Sequence, residues 1–418
     1  MTVLAPVHTP SPAPLIPGAP LAHVLSNIFM GWPAIVVDSP PGAGKSTLIV
    51  QAASYLFRKT DLTMTIAVST NAQGSSLAER LAEELANLAD DEGLVPLVVA
   101  GGRMDTPATA FSVRPPKNLR TLASLRSSPA PCDLLILDEA YQMTWADFAS
   151  AADLVAAANA ESVGNSTGRP VQILAVGDPS QIGPVIAFDA NAWSRMKDAP
   201  QMRAPEVLKR RPDTTVLGLP DTYRLGPVTT NVIAPLYPFS FGSRRVARHL
   251  AEFSGEISTV EVDELDNAYD LGTMRTVATL AADYIGTTLI EERNGEMVSR
   301  PITARDVAIV VSRNAQVSTL EAILVDLGLT LGEITVGTAD RLQGGQWHCV
   351  VAVDPTLSGA ESDHAMASGR LCVMTSRHMT HLTWVFDSGW EAVMASASNR
   401  RDAGQGTAVR LRLLDAGL

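Results

Sequence analysis

Apolar and polar positions along this chain fall into two alternating regimes. Short runs dense in Val, Ile and Leu recur at Ala34–Asp38, Met64–Ser69, Leu134–Leu137, Gln172–Val176, Val307–Val311, Glu333–Val336, Cys349–Val353 and Leu382–Phe386. Runs of that length, rich in β-branched residues, predict buried strands. Between several of them lie Ala-rich stretches with helical spacing. Ser76–Leu88 sets Leu77, Leu81, Leu85 and Leu88 on one face, and Leu48–Leu56 reads as a second helix. Strands alternating with helices predict an α/β fold whose mainly parallel sheets are covered on both sides. In such sheets ligands bind beyond the carboxyl ends of the strands.

The same pattern predicts two domains. A first α/β domain is expected over residues 21–208 and a second over 209–400, with the charged segment Lys209–Asp213, which contains Pro212, as the boundary. Prolines at 6, 10, 12, 14, 17 and 20 make residues 1–20 an extended, poorly ordered leader. No basic start precedes an apolar stretch there, so it does not read as a signal peptide. Residues 401–418 are expected to form a C-terminal tail.

Composition narrows the class. The chain has 418 residues, 46% apolar and 18% charged, which fits a globular protein of two or three domains. No apolar run reaches the roughly 18 residues of a membrane span. Cys132, Cys349 and Cys372 each sit beside an apolar run and show no metal-ligand spacing. Buried reduced thiols and a cytoplasmic location are expected. A net charge of −12 argues against a general nucleic-acid coat. A local basic groove would have to come from Arg203, Lys209, Arg210 and Arg211 or from Arg244, Arg245 and Arg248, each of which reads equally as a solvated face.

Candidate chemistry follows the strand ends. Ser39-Pro40-Pro41-Gly42-Ala43-Gly44-Lys45-Ser46-Thr47 lies between the strand Ala34–Asp38 and the helix Leu48–Leu56. That is the context of a phosphate-binding loop. Gly42 and Gly44 let backbone N–H groups face phosphates, and the helix N-terminus adds its dipole. Lys45 would reach the β- and γ-phosphates, and Ser46 would ligate Mg²⁺. Ser39 stands where the first glycine is usual. Leu134–Leu137 delivers Asp138 and Glu139. Asp138 would hold the metal through water, and Glu139 would orient or deprotonate the attacking water. A small-molecule kinase could share this loop, but would not need a second α/β domain of similar size.

After Val171–Val176 comes Gly177-Asp178-Pro179-Ser180-Gln181-Ile182-Gly183-Pro184, which resembles motif III of superfamily 1 helicases. With that match, Ser39–Ser46 resembles motif I, Ala67–Gln73 motif Ia and Asp138–Gln142 motif II. Leu219-Pro220-Asp221-Thr222-Tyr223-Arg224 resembles motif IV, and Asn314-Ala315-Gln316 the segment between motifs IV and V. Gly337–Gly344 resembles motif V and Arg370–Arg377 motif VI. The ordered set spans residues 34 to 386 and is most similar to the RNA-surveillance and RecD-like branch, whose members generally move 5′ to 3′.

The resemblance implies two tandem RecA-like P-loop NTPase domains and a set of roles. Gln181 would sense the γ-phosphate. Arg224 and Arg377 would act as arginine fingers, each worth about 10³–10⁵ in rate. Tyr223 would stack on adenine, and Pro41, Gly42, Ala43, Gly44, Lys45, Ser46 and Thr47 would cradle the phosphates. Gly344 would allow close approach to the γ-phosphate region. Thr70, Asn71 and Thr338 would contact the phosphates of the nucleic-acid strand. Two departures bear on the nucleotide. No glutamine in Leu21–Asp38 matches the usual adenine reader, and Gln346 replaces the acidic ribose contact. His378, in place of a usual alanine, reads as a surface or packing residue. Trp145 and Trp347 read as core before base-stacking platforms.

The implied function is an ATP- and Mg²⁺-dependent helicase or translocase on single-stranded DNA or RNA. The short gaps between motifs make it near-minimal, so a partner protein would supply the wedge or loading function. The alternative is a nucleic-acid-activated ATPase switch or recruitment module without robust unwinding, for example in defence or mobile-element biology.

Overall fold

A computed structural model describes residues 18–92, 118–161, 171–184, 186, 190–193, 195–263, 267–359, 366–397 and 400–417. The leader expected over 1–20 lies outside these residues up to position 17. The chain divides into two compact units. The first holds the residues up to Ser39, with Gly44–Asp178 and Gly183–Leu219. The second holds Pro220 onward together with Pro40–Ala43 and Pro179–Ile182. The division thus falls after Leu219, where the sequence reading had put it at 208/209, because the segment Thr214–Gly218 pairs as a strand with Ala34–Asp38.

The first unit is built on a six-stranded sheet. Its strands are β1 (Ala34–Asp38), β2 (Met64–Val68), β3 (Leu119–Thr121), β4 (Leu134–Leu137), β5 (Gln172–Gly177) and β6 (Thr214–Gly218). Their order is β3-β2-β4-β5-β1-β6, and every pairing is parallel. The helices are α1 (Pro20–Phe29), α2 (Lys45–Lys59), α3 (Asn71–Glu92), α4 (Leu122–Ser127), α5 (Trp145–Glu161) and α6 (Ala204–Leu208). β1, β2 and β4 are buried at every position, as strands covered on both faces must be. Leu77 and Leu81 of α3 are buried as its spacing predicted, while the side chains of Leu85 and Leu88 lie outside the described ones. β3 and β6 escaped the sequence reading because they are edge strands with mixed polarity.

The second unit carries a five-stranded sheet of β10 (Ile257–Glu261), β13 (Val307–Val311), β14 (Thr335–Thr338), β15 (Trp347–Val353) and β16 (His378–Phe386). Its order is β10-β16-β15-β13-β14, again wholly parallel. Alternation decides its two faces. Ala308, Val310, Val350, Ala352, Leu382 and Trp384 pack into one core. Val307, Ile309, Val311, Cys349, Val351 and Val385 pack into the other. A second sheet, β12-β11-β9, is antiparallel and comprises β9 (Arg248–Leu250), β11 (Thr288–Arg293) and β12 (Glu296–Pro301). β7 (Asp221–Thr222) and β8 (Gly242–Ser243) form a short pair. The helices are α7 (Pro227–Ile233), α8 (Leu271–Ala282), α9 (Asn314–Asp326), α10 (Ser368–Met374), α11 (Trp390–Ser396) and α12 (Arg400–Ala416).

Three sequence expectations shift here. The strand expected at Glu333–Val336 runs from Thr335 to Thr338, because Glu333 is spent closing a turn through its carboxylate on the Thr330 N–H at 2.7 Å. β16 begins four residues before the apolar run Leu382–Phe386, since its first turns of sequence are buried polar residues held by partners. Residues 401–418, expected as a tail, fall mostly within α12. Val409 and Leu413 of that helix are fully buried in the core, and Arg410 donates twice to Asp354, both bonds at 2.7 Å.

The cysteines are free and buried. Burial pushes the Cys132 thiol up to about 11, which leaves it protonated and inert. Among the described residues no helix is long and apolar enough to cross a membrane.

Candidate functional site

In the first unit the polar side chains gather at the carboxyl ends of β1, β4 and β5. The loop after β1 turns through Gly42 (φ +72°) and Gly44 (φ +83°), both in the left-handed region that glycine enters without a Cβ penalty. Gly44 is the residue before α2, so the helix N-terminus opens at the loop, where backbone N–H groups and the helix dipole favour an anion. Ser39, in the place of the usual first glycine, is fully buried and donates its hydroxyl to Gly177 O at 3.0 Å. The serine therefore ties β1 to β5, and the departure has a local structural reason.

Lys45 Nζ lies 3.4 Å from Glu139 Oε1. Glu139 itself is left-handed (φ +52°), a conformation that costs a non-glycine residue about 1–3 kcal/mol and is concentrated at functional sites. Its N–H donates to Asp138 Oδ1 at 3.0 Å. Asp138 is buried, and its carboxyl is raised well above the ordinary carboxylate range by that burial first and by the Glu139 charge second, with Lys45 and Arg80 opposing. Burial and the Glu139 charge both disfavour the ionised carboxylate, and a divalent cation beside it would offset that cost. Ser46 and Asp138 offer the hard oxygen donors that Mg²⁺ prefers, and the loop leads through Gly44 into the N-terminus of α2, where an anion is favoured, so the residues fit Mg-ATP.

Several further residues shape this end of the sheet. Tyr141 is buried and donates its hydroxyl to Asp38 Oδ1 at 2.7 Å, and Lys209 pairs with the same carboxylate. A Cβ on Gly177 would stand 2.9 Å from the Tyr141 ring, which explains the glycine that opens the motif III segment. Arg80 of α3 donates to Thr47 Oγ1 at 2.6 Å. Thr70 and Gln73 cap α3 reciprocally, Gln73 N to Thr70 Oγ1 at 3.3 Å and Thr70 N to Gln73 Oε1 at 3.1 Å, while Asn71 is exposed at its first turn. The capping pair was legible as a Thr-x-x-Gln spacing.

The second unit collects its own group. Arg224 donates from Nε to Gln346 Oε1 at 3.0 Å and from Nη1 to Ser376 O at 3.3 Å. Arg377, only 1% exposed, donates from Nη2 to Ser376 Oγ at 3.1 Å and from Nη1 to Gly345 O at 3.4 Å. The two arginines thus link three segments distant in sequence, around residues 224, 345–346 and 376–377, and Gln346 serves as an arginine acceptor. Tyr223 is 57% exposed. Gly344 (φ +91°) is exposed. The Gln181 side chain accepts from Gln343 Nε2 at 3.3 Å within the same unit. Thr338 ends β14 and its hydroxyl accepts from Arg341 N at 3.4 Å. Thr222 Oγ1 donates to Pro41 O at 2.6 Å. A Cβ on Gly42 would stand 2.3 Å from Arg224 Cβ, so glycine is required there by space as well as by φ.

His378 is fully buried with Nε2 2.8 Å from Thr229 Oγ1. Burial first, then the charges of Arg245, His381, Arg224 and Arg377, hold it well below its ordinary value. It is a neutral packing residue, as expected, and lies in the interior. Trp145 packs against Phe148 and under Arg211, and Trp347 packs on the core of the second unit. The basic candidates are largely engaged: Lys209 with Asp38, Arg211 with Trp145, Arg245 with Glu256 and Arg244 with Asp221.

No protein-family model matches the chain, and no curated protein matches it. Among solved structures it is similar to arterivirus nonstructural protein 10, a helicase in complex with DNA, at 14% identity and a TM-score of 0.45. The match covers 87% of this chain and 63% of the other, so the chain spans less than two thirds of that protein's length.

Proposed function

We propose that the chain is an Mg-ATP-hydrolysing motor of the helicase or translocase type that acts on single-stranded DNA or RNA. The observation that carries the reading is the Lys45–Glu139 contact at 3.4 Å beside buried Asp138, set on a loop with two left-handed glycines at the end of a parallel sheet. Mg²⁺ supplies the positive charge that offsets charge on the transferring phosphoryl group. Gly42–Gly44 and the first turn of α2 bind the phosphate chain through backbone N–H groups, with Pro41 shaping the loop, and Lys45 orients its β–γ end. Ser46 and Asp138 hold the cation, and Glu139 takes the proton of the attacking water at its carboxylate.

The second unit contributes Gln181 as the γ-phosphate sensor and Arg224 and Arg377 as the arginine fingers. Their common attachment to Ser376 supports this, because one backbone movement would carry both guanidinium groups. Tyr223 stacks on the base, Gly344 and Gln346 line the γ-phosphate and ribose side, and Thr70, Asn71 and Thr338 bind strand phosphates. A ligand that favours one arrangement of the units in the ATP state and another after hydrolysis turns turnover into stepping. Movement 5′ to 3′ rests on the sequence resemblance to the RNA-surveillance and RecD-like branch alone, a partner protein for wedge or loading on the short gaps between motifs, and a cytoplasmic setting on the three free cysteines.

The engagement of Lys209, Arg211, Arg244 and Arg245 within the chain favours a second reading, a nucleic-acid-activated ATPase switch without robust unwinding. One experiment separates the two. ATP hydrolysis is measured with and without single-stranded DNA and RNA, and strand displacement on a tailed duplex. Stimulation with displacement supports the motor, and stimulation without displacement supports the switch. No stimulation by either polymer refutes both.

A further inference from the structure

Resting on the nucleotide reading above, we infer that Arg80, which belongs to no motif, is a second phosphate-loop cation and binds the α-phosphate of the nucleotide. Its Nη2 donates to Thr47 Oγ1 at 2.6 Å. Thr47 is the third residue of α2, and its hydroxyl lies 3.9 Å from where a Cβ on Gly44 would stand. The hydrogen bond therefore holds the guanidinium at the mouth of the loop.

Position along the helix identifies the phosphate. In a loop of this kind the lysine serves the β–γ end and the following hydroxyl serves the cation. Here those are Lys45 and Ser46, so Thr47, one residue on, faces the nucleoside side. A guanidinium has five donors in a fixed fork, which suits a phosphate oxygen. Thr47 takes one of them, and the Arg80 residue is solvent-exposed. This assignment meets a need the sequence leaves open. No upstream glutamine holds the base in Leu21–Asp38, and a charged anchor on the α-phosphate fixes the nucleoside end without reading its base.

Calorimetric titration of the full chain with ADP over a range of salt concentration tests this. Arg80→Ala is expected to weaken ADP about tenfold, the usual scale of one charge-assisted hydrogen bond at an exposed site, and to flatten the salt dependence of Kd. Arg80→Lys should recover part of both, since it keeps the charge and loses the fork. Thr47→Val should weaken binding less and leave the salt dependence as in the wild type. Should Arg80 serve only as a tie between α2 and α3, Arg80→Ala and Thr47→Val will lower the melting temperature alike while ADP affinity stays within about twofold. That result overturns the assignment. Lys45→Ala separates the two levels. Loss of ADP binding in Lys45→Ala with no effect of Arg80→Ala sinks the Arg80 role alone. Unchanged ADP binding in Lys45→Ala sinks the nucleotide reading and this inference with it.

Discussion

Glu139→Gln removes one negative charge from the candidate site and keeps the side chain's shape. Glu139 Oε1 stands 3.4 Å from Lys45 Nζ, and the two side chains are 21% and 10% exposed. At an effective dielectric of about 20 the bare attraction at that distance is ~5 kcal/mol. Rehydration of both groups offsets most of it, as for other partly buried pairs. Without nucleotide, Glu139 and an incoming phosphate compete for the same ammonium group. The substitution ends that competition and removes repulsion between carboxylate and phosphate, so ATP and ADP affinity should rise about tenfold, or ~1.4 kcal/mol. Hydrolysis should fall by about 10²–10⁴, because the amide cannot accept the proton of the attacking water. That loss corresponds to roughly 3–5 kcal/mol on the barrier. Equilibrium binding of ADP, followed by phosphate release at saturating ATP with single-stranded polymer present, measures both effects. Turnover within about tenfold of the wild type would show that Glu139 is not the base. A fall in affinity would show that the Lys45–Glu139 contact organises the loop and does not compete with its ligand.

Ser39→Ala removes the donor to Gly177 O, but Ser39 N still donates to that oxygen at 3.0 Å, so the loss should be about 1 kcal/mol in urea unfolding with turnover unchanged. Arg410→Ala leaves Asp354, 1% exposed, as an unpaired buried carboxylate and should cost about 3–5 kcal/mol, whereas a loss under about 1 kcal/mol would contradict the place of α12 in the core. The Asp306 carboxyl is pushed up by partial burial, but the Arg300 pair and the Thr303 N–H and hydroxyl outweigh this and hold it well below the ordinary range. A folded-state value below the unfolded one means stability that is present above about pH 4 and lost as pH falls further. The deficit of Asp306→Asn in melting temperature should therefore be full at about pH 7 and shrink below about pH 4, and a deficit constant down to about pH 3 would refute the assignment.

Much of this architecture was legible in one dimension. β1, β2, β4, β13 and the Cys349–Val353 part of β15 are buried on both faces, and their largely apolar runs announced them. The candidate phosphate loop was readable because its glycines, lysine and hydroxyl are adjacent in the chain. The antiparallel hairpin of β11 and β12 was missed, although Asn294-Gly295, both with positive φ, joins Arg293 to its partner Glu296 in a two-residue turn that such a pair favours. Its exposed β12 has no apolar face to signal it.

What the chain determines by itself is the local grammar: where strands end, where φ must be positive, and which acids and cations stand beside those ends. Tertiary packing decided which of them share a neighbourhood. Arg80 sits 33 residues from Thr47, and Arg224 sits 152 residues from Ser376, and no spacing rule links either pair. Asp138 is an ordinary acid in sequence and a perturbed one in the folded chain, because desolvation and the nearness of Glu139 arise only once β4 is closed between β2 and β5. The same holds for α12, whose Gly- and Arg-containing sequence looks like a tail until Asp354 is brought to Arg410 and the pair leaves water together.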